Sequence, residues 1–420
     1  MRLFIKRKCS SSASRLPEIK ENQSGLGKKK KPPRNRTCHA KLSEDRDLPP
    51  DMWREIFARL PVKTLLKFRC VCKNWCSIIE NPNFISMHLS NYQNKLNKNH
   101  VLVVENIGKY GIQGLTCTIR ESGTFREIAQ IPQTSQFCNI FVGNCNGLVL
   151  LLSSEEFKPN PVKKIVRLWN PSIRKSVILP PSSICKADTT YFLGFSPSSN
   201  DYKVVAFSSW QSYAVYSLSS NIWSIKSGNL LPLSVSGASR SRLLYKCPPF
   251  SQGATHWLVC GGSVPDKYTH ILSFEFDTED FHTIELPEAS DEMIKGLNTL
   301  GELLAVFGIS HTECCIWSMK KEGGEKLWTL TLPGASSLSY YNFFATYLYP
   351  YTKRFYCDDT GIISLLATGN AMASYNISTK QMQSSFLKST NSRGISFMDT
   401  YVESLVLCRG VECQTLTLFP

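Results

Sequence analysis

The pattern of apolar and polar positions changes twice along the chain. Up to residue 46 it has no period. From 47 to 90 apolar residues recur at helical spacing, and past 95 they fall into short runs bounded by turn residues. In the helical stretch Met52, Trp53, Ile56, Phe57 and Leu60 share one spacing. Pro49 and Pro50 stand at its start, where a missing N–H costs nothing. Pro61 stops this helix and can open the next. Val62, Leu65, Leu66 and Phe68 predict a second apolar face, and Val71, Cys72, Trp75, Cys76 and Ile79 a third. Asn81-Pro82 ends it, and Phe84, Ile85 and Leu89 predict one more turn or two. About 40 residues rarely bury enough surface to be stable alone. These helices therefore call for another surface, either the rest of the chain or a partner.

The region after 95 predicts an all-β domain. Val101 to Val104, Gly147 to Leu152, Lys203 to Phe207, Ala214 to Leu218, His256 to Cys260 and Ile271 to Phe276 are rich in β-branched and aromatic residues. A loose repeat runs through them: a strand ending near an aromatic, a polar turn, then a strand closing near Leu-Pro. Its aromatic anchors are Trp169, Tyr216, Phe276, Trp317 and Tyr375, separated by 47, 60, 41 and 58 residues. A period of roughly 40 to 50 residues per four-stranded unit is that of a β-propeller. Stacked blades bury both faces of each sheet and leave few open edges. Five copies, with the material at 101 to 132 and 401 to 419, predict about six blades, or seven, with the first and last strands sharing one. The long spacings imply insertions near 182 to 191, 229 to 252 and 335 to 360. Arg240 and Arg242 in the second could read a phosphate or acidic signal, or lie in a plain solvated loop.

Charge changes the picture once it is located. The net charge is +15, but residues 1 to 46 hold 14 Lys/Arg against 4 Asp/Glu. The folded body is thus near neutral, which argues against a general nucleic-acid footprint. The segment is a disordered basic tail by composition. Lys28-Lys29-Lys30-Lys31-Pro32-Pro33-Arg34 has the form of a nuclear-localisation cluster. A plain linker and a weak transit peptide are the other readings. No apolar run approaches the 18 or so residues of a membrane span. The sixteen cysteines include no Cys-x-x-Cys pair, and many sit in apolar strings, so reduced thiols are expected. The expected location is the nucleus, the cytoplasm or both.

Candidate chemistry is sparse. No Gly-rich phosphate loop precedes a helix and no nucleophile elbow is present. His256-Trp257 is the most tempting pair. Glu275 and Asp277 are two apart at a strand end, where a solvated turn explains them better than a glycosidase pair. His311 with Cys314 and Cys315 could be imagined around a metal, but a buried strand explains the cysteines. No catalytic, cofactor-binding or metal-binding residue is assigned.

The ordered set Leu48-Pro49, Arg59-Leu60-Pro61-Val62-Lys63, Leu65-Leu66-Lys67-Phe68-Arg69 and Cys70-Val71-Cys72-Lys73-x-Trp75 resembles an F-box. Gly143-Asn-Cys-Asn-Gly147-Leu148-Val149, Leu168-Trp169-Asn170-Pro171-Ser172-x-Arg174 and Gly194-Phe195-Ser-Pro-Ser-Ser-Asn-Asp201-Tyr202-Lys203 resemble the F-box-associated, kelch-like domain of plant F-box proteins. The division implied is a tail over 1–46, an F-box over 47–92 and a propeller-like domain over 95–420. The fold class is α+β multidomain: three or four short helices, then an all-β, propeller-like domain. The resemblance implies a core role for His256-Trp257 on a blade strand. It also implies a non-catalytic receptor of an SCF-type ubiquitin ligase. Leu48, Pro49, Ile56, Leu60, Pro61, Leu65, Val71 and Trp75 would dock a Skp-type adaptor and, through it, a cullin. The β domain would hold a target protein through residues the sequence does not identify. A non-degradative nuclear scaffold and a glycan-binding propeller are the alternatives. A cofactor, a membrane and specific nucleic acid are not among the implied partners.

Overall fold

The computed structural model describes residues 48–95, 100–107, 114–122, 124–131, 138–154, 164–184, 189–209, 212–227, 248–260, 268–287, 294–309, 314–322, 325–332, 355–357, 362–366, 371–376, 379, 381–386, 395–407 and 414–415. Four helices come first: α1 (Pro50–Phe57), α2 (Val62–Phe68), α3 (Lys73–Ile79) and α4 (Pro82–Lys95). Pro50 opens α1 at a position that needs no N–H donor, and Pro61 caps the start of α2. Cys72 is the cap of α3, its thiol accepting the Trp75 amide at 3.5 Å. α4 is longer than the turn or two the apolar spacing predicts. Its last residues, Ser90-Asn-Tyr-Gln-Asn-Lys95, are polar, so hydrophobic spacing alone stops short of its end.

Phe57, Ala58, Val62, Leu65, Ile79 and Phe84 form the buried heart of this helical segment. Trp53, Phe57, Phe68 and Trp75 pack around it with ring centroids 4.8–5.8 Å apart. Arg69 at the end of α2 pairs with Glu80 at the end of α3. The imidazole of His88, wholly buried in α4, donates from Nε2 to the Leu60 carbonyl at 2.9 Å. That bond ties α4 to the α1–α2 hinge, and burial holds the His88 pKa below its ordinary 6.5.

Among the described residues the β region forms six antiparallel sheets. The first holds β1 (His100–Ile107), β2 (Gly114–Glu121) and β3 (Glu127–Ile131). The second is built on β4 (Cys138–Cys145), β5 (Leu148–Ser154), β6 (Lys164–Asn170) and β7 (Lys175–Ile178). The third is β8 (Thr190–Ser196), β9 (Asp201–Ser209), β10 (Ser212–Ser217) and β11 (Ile222–Ser227). The fourth is β12 (Phe250–Ser251), β13 (Ala254–Cys260), β14 (Tyr268–Glu275) and β15 (Asp280–Glu285). The fifth is β16 (Ile294–Leu300), β17 (Leu303–Ile309), β18 (Cys314–Glu322) and β19 (Glu325–Leu332). The sixth is β20 (Phe355–Cys357), β21 (Ile362–Leu366), β22 (Ala371–Asn376) and β23 (Gln381–Phe386). Two late strands return to early sheets: β24 (Ile395–Thr400) pairs with β1, and β25 (Gln414–Thr415) pairs with β7. Each blade lies against the next, the sixth meets β24, and the ring closes within the first blade.

The aromatic anchors of the repeat all fall on or just past the third strand of a blade. Trp169, Tyr216, Phe276 and Trp317 are buried there; the side chain of Tyr375 lies outside the described residues. Apolar layers between successive blades form the core, as in Phe192, Trp257 and Phe274 between the third and fourth. A second device recurs with the repeat. Trp223 on β11 donates its indole N–H to the Pro180 carbonyl at 2.7 Å, and Trp328 on β19 donates to Glu285 at 2.9 Å. In each case a fourth-strand tryptophan ties its blade to the chain leaving the blade before.

The segment after β24 departs from expectation. The sequence predicts blade material here, but Tyr401–Leu407 contains no strand and runs as a mostly buried strap along the second blade. The insertions read at 229 to 252 and 335 to 360, with Arg240 and Arg242, lie largely outside the described residues.

Candidate docking surface

α1 has two apolar faces with different fates. Trp53 and Phe57, four residues apart, turn into the helical core. Met52 and Ile56, also four apart, stay 50% and 39% exposed. Leu48 is 40% exposed on the approach to the helix, and Pro49 and Pro61 are exposed at its two ends. Val71, in the turn between α2 and α3, is 61% exposed. Of the residues the resemblance implies, Leu48, Pro49, Ile56, Pro61 and Val71 therefore present surface. Leu60 and Trp75 are half-buried within the aromatic packing. Leu65 is a correction: it is wholly buried among Phe57, Val62 and Ile79, so it holds the helices together and offers nothing to a partner. Met52 was missed as a surface residue. Its spacing to Ile56 was the signal, but spacing does not say which of two apolar faces is covered.

The motifs of the β region build joints, not chemistry. Gly194 leaves room for the Phe276 ring, which a Cβ there would meet at 2.0 Å. Ser196 and Ser198 donate to Asp277 Oδ1 at 2.5 and 2.9 Å, and the Ser198 amide adds a bond at 3.2 Å. Burial alone would raise the Asp277 carboxyl; those bonds and the Lys203 charge outweigh it and hold the pKa below the usual range. Lys203, nearly buried, donates to the Phe276 carbonyl at 2.8 Å and pairs with Glu279 at 2.9 Å. Lys226 reaches the other Glu279 oxygen at 3.1 Å. This network staples the third blade to the fourth. The Glu275 and Asp277 pair belongs to that joint and to an exposed strand end, where His282 lies 4.0 Å from Glu275.

His256 is buried with Nε2 3.4 Å from the Ser251 carbonyl, and Trp257 packs edge-on against Phe192 at 4.9 Å. Cys315 is buried in the layer between the fourth and fifth blades; His311 lies outside the described residues. Among the described residues no three His, Cys, Asp or Glu side chains converge as metal ligands. No described helix is long and apolar enough to cross a membrane.

The second group of motif residues holds the strap. Asn170 donates from Nδ2 to the Ser404 carbonyl at 3.0 Å, the Ser404 hydroxyl at 3.0 Å and the Val406 carbonyl at 2.7 Å. Its Oδ1 accepts the Ser172 amide at 2.9 Å, the local turn that Asn-Pro-Ser favours. Ser172 Oγ meets the Tyr401 hydroxyl at 2.7 Å. Gly147, at φ +82°, closes the Asn146-Gly147 hairpin, and a Cβ there would strike the Val402 carbonyl at 2.4 Å. The strap in turn sends Leu405 into the helical core.

Among the described residues, two hollows lie beside the strap. One of about 750 Å³ lies between α4 and the second and third blades, walled by Ile85, Leu89, Phe195, Tyr202, Leu218 and Val406. The other, about 390 Å³, is bounded by hairpin turns of several blades, with Asn144, Phe250, Gly301, Phe397 and Asp399 among its walls.

Comparison with known proteins agrees with this anatomy. The profile of the F-box domain matches residues 46–87, and that of the F-box associated beta propeller domain matches residues 96–408. An F-box protein of Arabidopsis thaliana is 27% identical over 308 residues, covering 70% of this chain and 77% of the relative. An F-box/kelch-repeat protein of the same plant is 25% identical over 354 residues, covering 79% and 88%. The Arabidopsis F-box protein CPR1 is 24% identical over 391 residues, covering 86% and 90%.

Proposed function

Because the chain belongs to the family of F-box proteins with an F-box-associated β-propeller, we propose that it is the target-recognition subunit of an SCF-type cullin ubiquitin ligase. The observation that carries this reading is the apolar face of α1 and its flanks. Large side chains there stay in water although a packed helical core lies just behind them. Water-exposed apolar groups so concentrated mark a surface meant to be covered. Leu48, Pro49, Met52, Ile56, Pro61 and Val71 would lie against a Skp-type adaptor, which brings the cullin.

The propeller is the body that holds the target. Its role is placement: tethering raises the effective concentration of target lysines near the ubiquitin-loaded conjugating enzyme. The receptor supplies no acid, base or nucleophile to that transfer. The Lys28–Arg34 cluster, outside the described residues, fits nuclear import, and the site of action proposed is the nucleus, the cytoplasm or both.

Pull-down of the wild type and of Leu48→Ala/Pro49→Ala, probed for a Skp-type adaptor and a cullin, tests the reading. Loss of both in the variant, with other captured proteins retained, is the expected result. A wild type that captures no adaptor would make the helices a structural cap on the propeller.

A further inference from the structure

We infer that residues 401–407 lock the orientation of the propeller to the docking helices, with Leu405 as the positioning residue. The purpose of this lock rests on the ligase-subunit reading; its geometry does not. Leu405 is 1% exposed and completes the cluster of Phe57, Val62, Leu65, Ile79 and Phe84. It comes from the far side of the sequence, and the strap that delivers it is fastened to the second blade. Tyr401 is held by Ser172, and residues 404 and 406 by Asn170. Beyond the strap, β25 adds to the edge of the same blade through Gln414 and Thr415. The strap thus runs beneath one blade with a single large side chain planted in the helices.

The other ties across the junction are lighter. Ser86 on α4 donates to Asn200 Oδ1 at 2.9 Å, at an exposed position where water competes. Ile85 and Ile173 each pack against both the helical core and the core between the second and third blades, but both are only partly buried. Lys63 lies near Glu403, whose carboxyl is raised by burial and drawn back by that lysine. A flexible tether would hold a target near the ligase without aiming it. Transfer between two bound partners gains most when their approach is fixed. A buried apolar plug on a hydrogen-bonded strap supplies that fixity. The Trp-Asn-Pro-Ser motif and Gly147 then have a shared task, which is to seat the strap.

Zero-length carbodiimide coupling of Lys63 to Glu403, read by mass spectrometry on the full chain with and without a Skp-type adaptor, reports whether the junction is closed. Leu405→Asn should cut the yield of this cross-link by at least about fivefold, because it removes the apolar plug from a packed site. Leu405→Met, which keeps an apolar group of similar volume, should restore it. Adaptor capture should stay within about twofold of wild type, and the thermal transition of the propeller should move by no more than a few degrees. An unchanged cross-link in Leu405→Asn would overturn the proposal. So would joint loss of adaptor capture and of the propeller transition, since the strap would then be core of one body and not a coupling between two. Failure of the wild type to capture adaptor at all counts against the ligase reading alone, as the cross-link can be read without it.

Discussion

The helical segment and the propeller expose apolar side chains in different ways. In the helices Leu48, Met52, Ile56 and Val71 fall within one short stretch of chain. In the propeller Ile128, Ile140, Ile178, Ile222, Ile225 and Leu327 are spread over four blades, on several different strands. Single apolar residues on a surface are ordinary, whereas a concentration of them is not. The propeller satisfies itself: its blades cover one another and its ring leaves few edges to cover. The helices do not: α1, α2 and α3 are only seven or eight residues each, and the Met52 and Ile56 face of α1 stays exposed.

The contrast can be broken most directly with charge. Ile56→Asp with Val71→Asp should weaken adaptor capture by more than about a hundredfold, in line with losses at interface centres. Ile222→Asp on the rim of the third blade should leave it unchanged, and equal effects from the two would remove the distinction between the surfaces. Next in size are the buried joints. Leu65→Ala should cost about 2–5 kcal/mol of helical-segment stability through the cavity it leaves. Lys203→Met should destabilise the propeller by about 2–4 kcal/mol, because it strips Glu279 and the Phe276 carbonyl of a nearly buried partner. Urea unfolding followed separately by helical and β-sheet circular dichroism should assign the first loss to the helices and the second to the propeller.

A smaller effect should come from pH. His88 is buried in its neutral form with a pKa below 6.5, so the unfolded chain takes up its proton first as pH falls. Its contribution to stability is complete above pH 6.5 and declines below it, by at most about 1.4 kcal/mol per pH unit. Melting of the helical segment should therefore shift down on acidification, and His88→Asn should flatten the dependence. Smallest is Cys72→Ser. A hydroxyl caps α3 better than a thiol, and a gain of about 0.5 kcal/mol or less is expected in the same melting experiment.

Much of the architecture was legible because it is written in local chemistry. The proline-punctuated helices follow from spacing and from the positions where an N–H is dispensable. The repeat anchors mark the third strands, where Trp169, Tyr216, Phe276 and Trp317 are buried in the layers between blades. The strap was not legible. Tyr401-Val-Glu-Ser-Leu-Val-Leu407 has the composition of a strand, and hydrogen bonds to Asn170 and Ser172, about 230 positions away in sequence, hold it aside. The roles of Asn170, Gly147 and Lys203 were hidden for the same reason. Each acts on a remote segment, which no local pattern records. On α1, two apolar faces are both visible in the spacing, but which one is covered depends on α2 and α3.

The return of β24 to β1 bears on the order in which the molecule is made. The first blade lacks a strand, and the helical core lacks Leu405, until nearly the whole chain has been synthesised. At ~5–20 residues per second this is a wait on the order of tens of seconds after α4 emerges. Through that interval the helices stand incomplete beside an open ring. The junction between helices and propeller therefore closes only when the ring does, and a chain stalled or truncated before residue 395 would have neither.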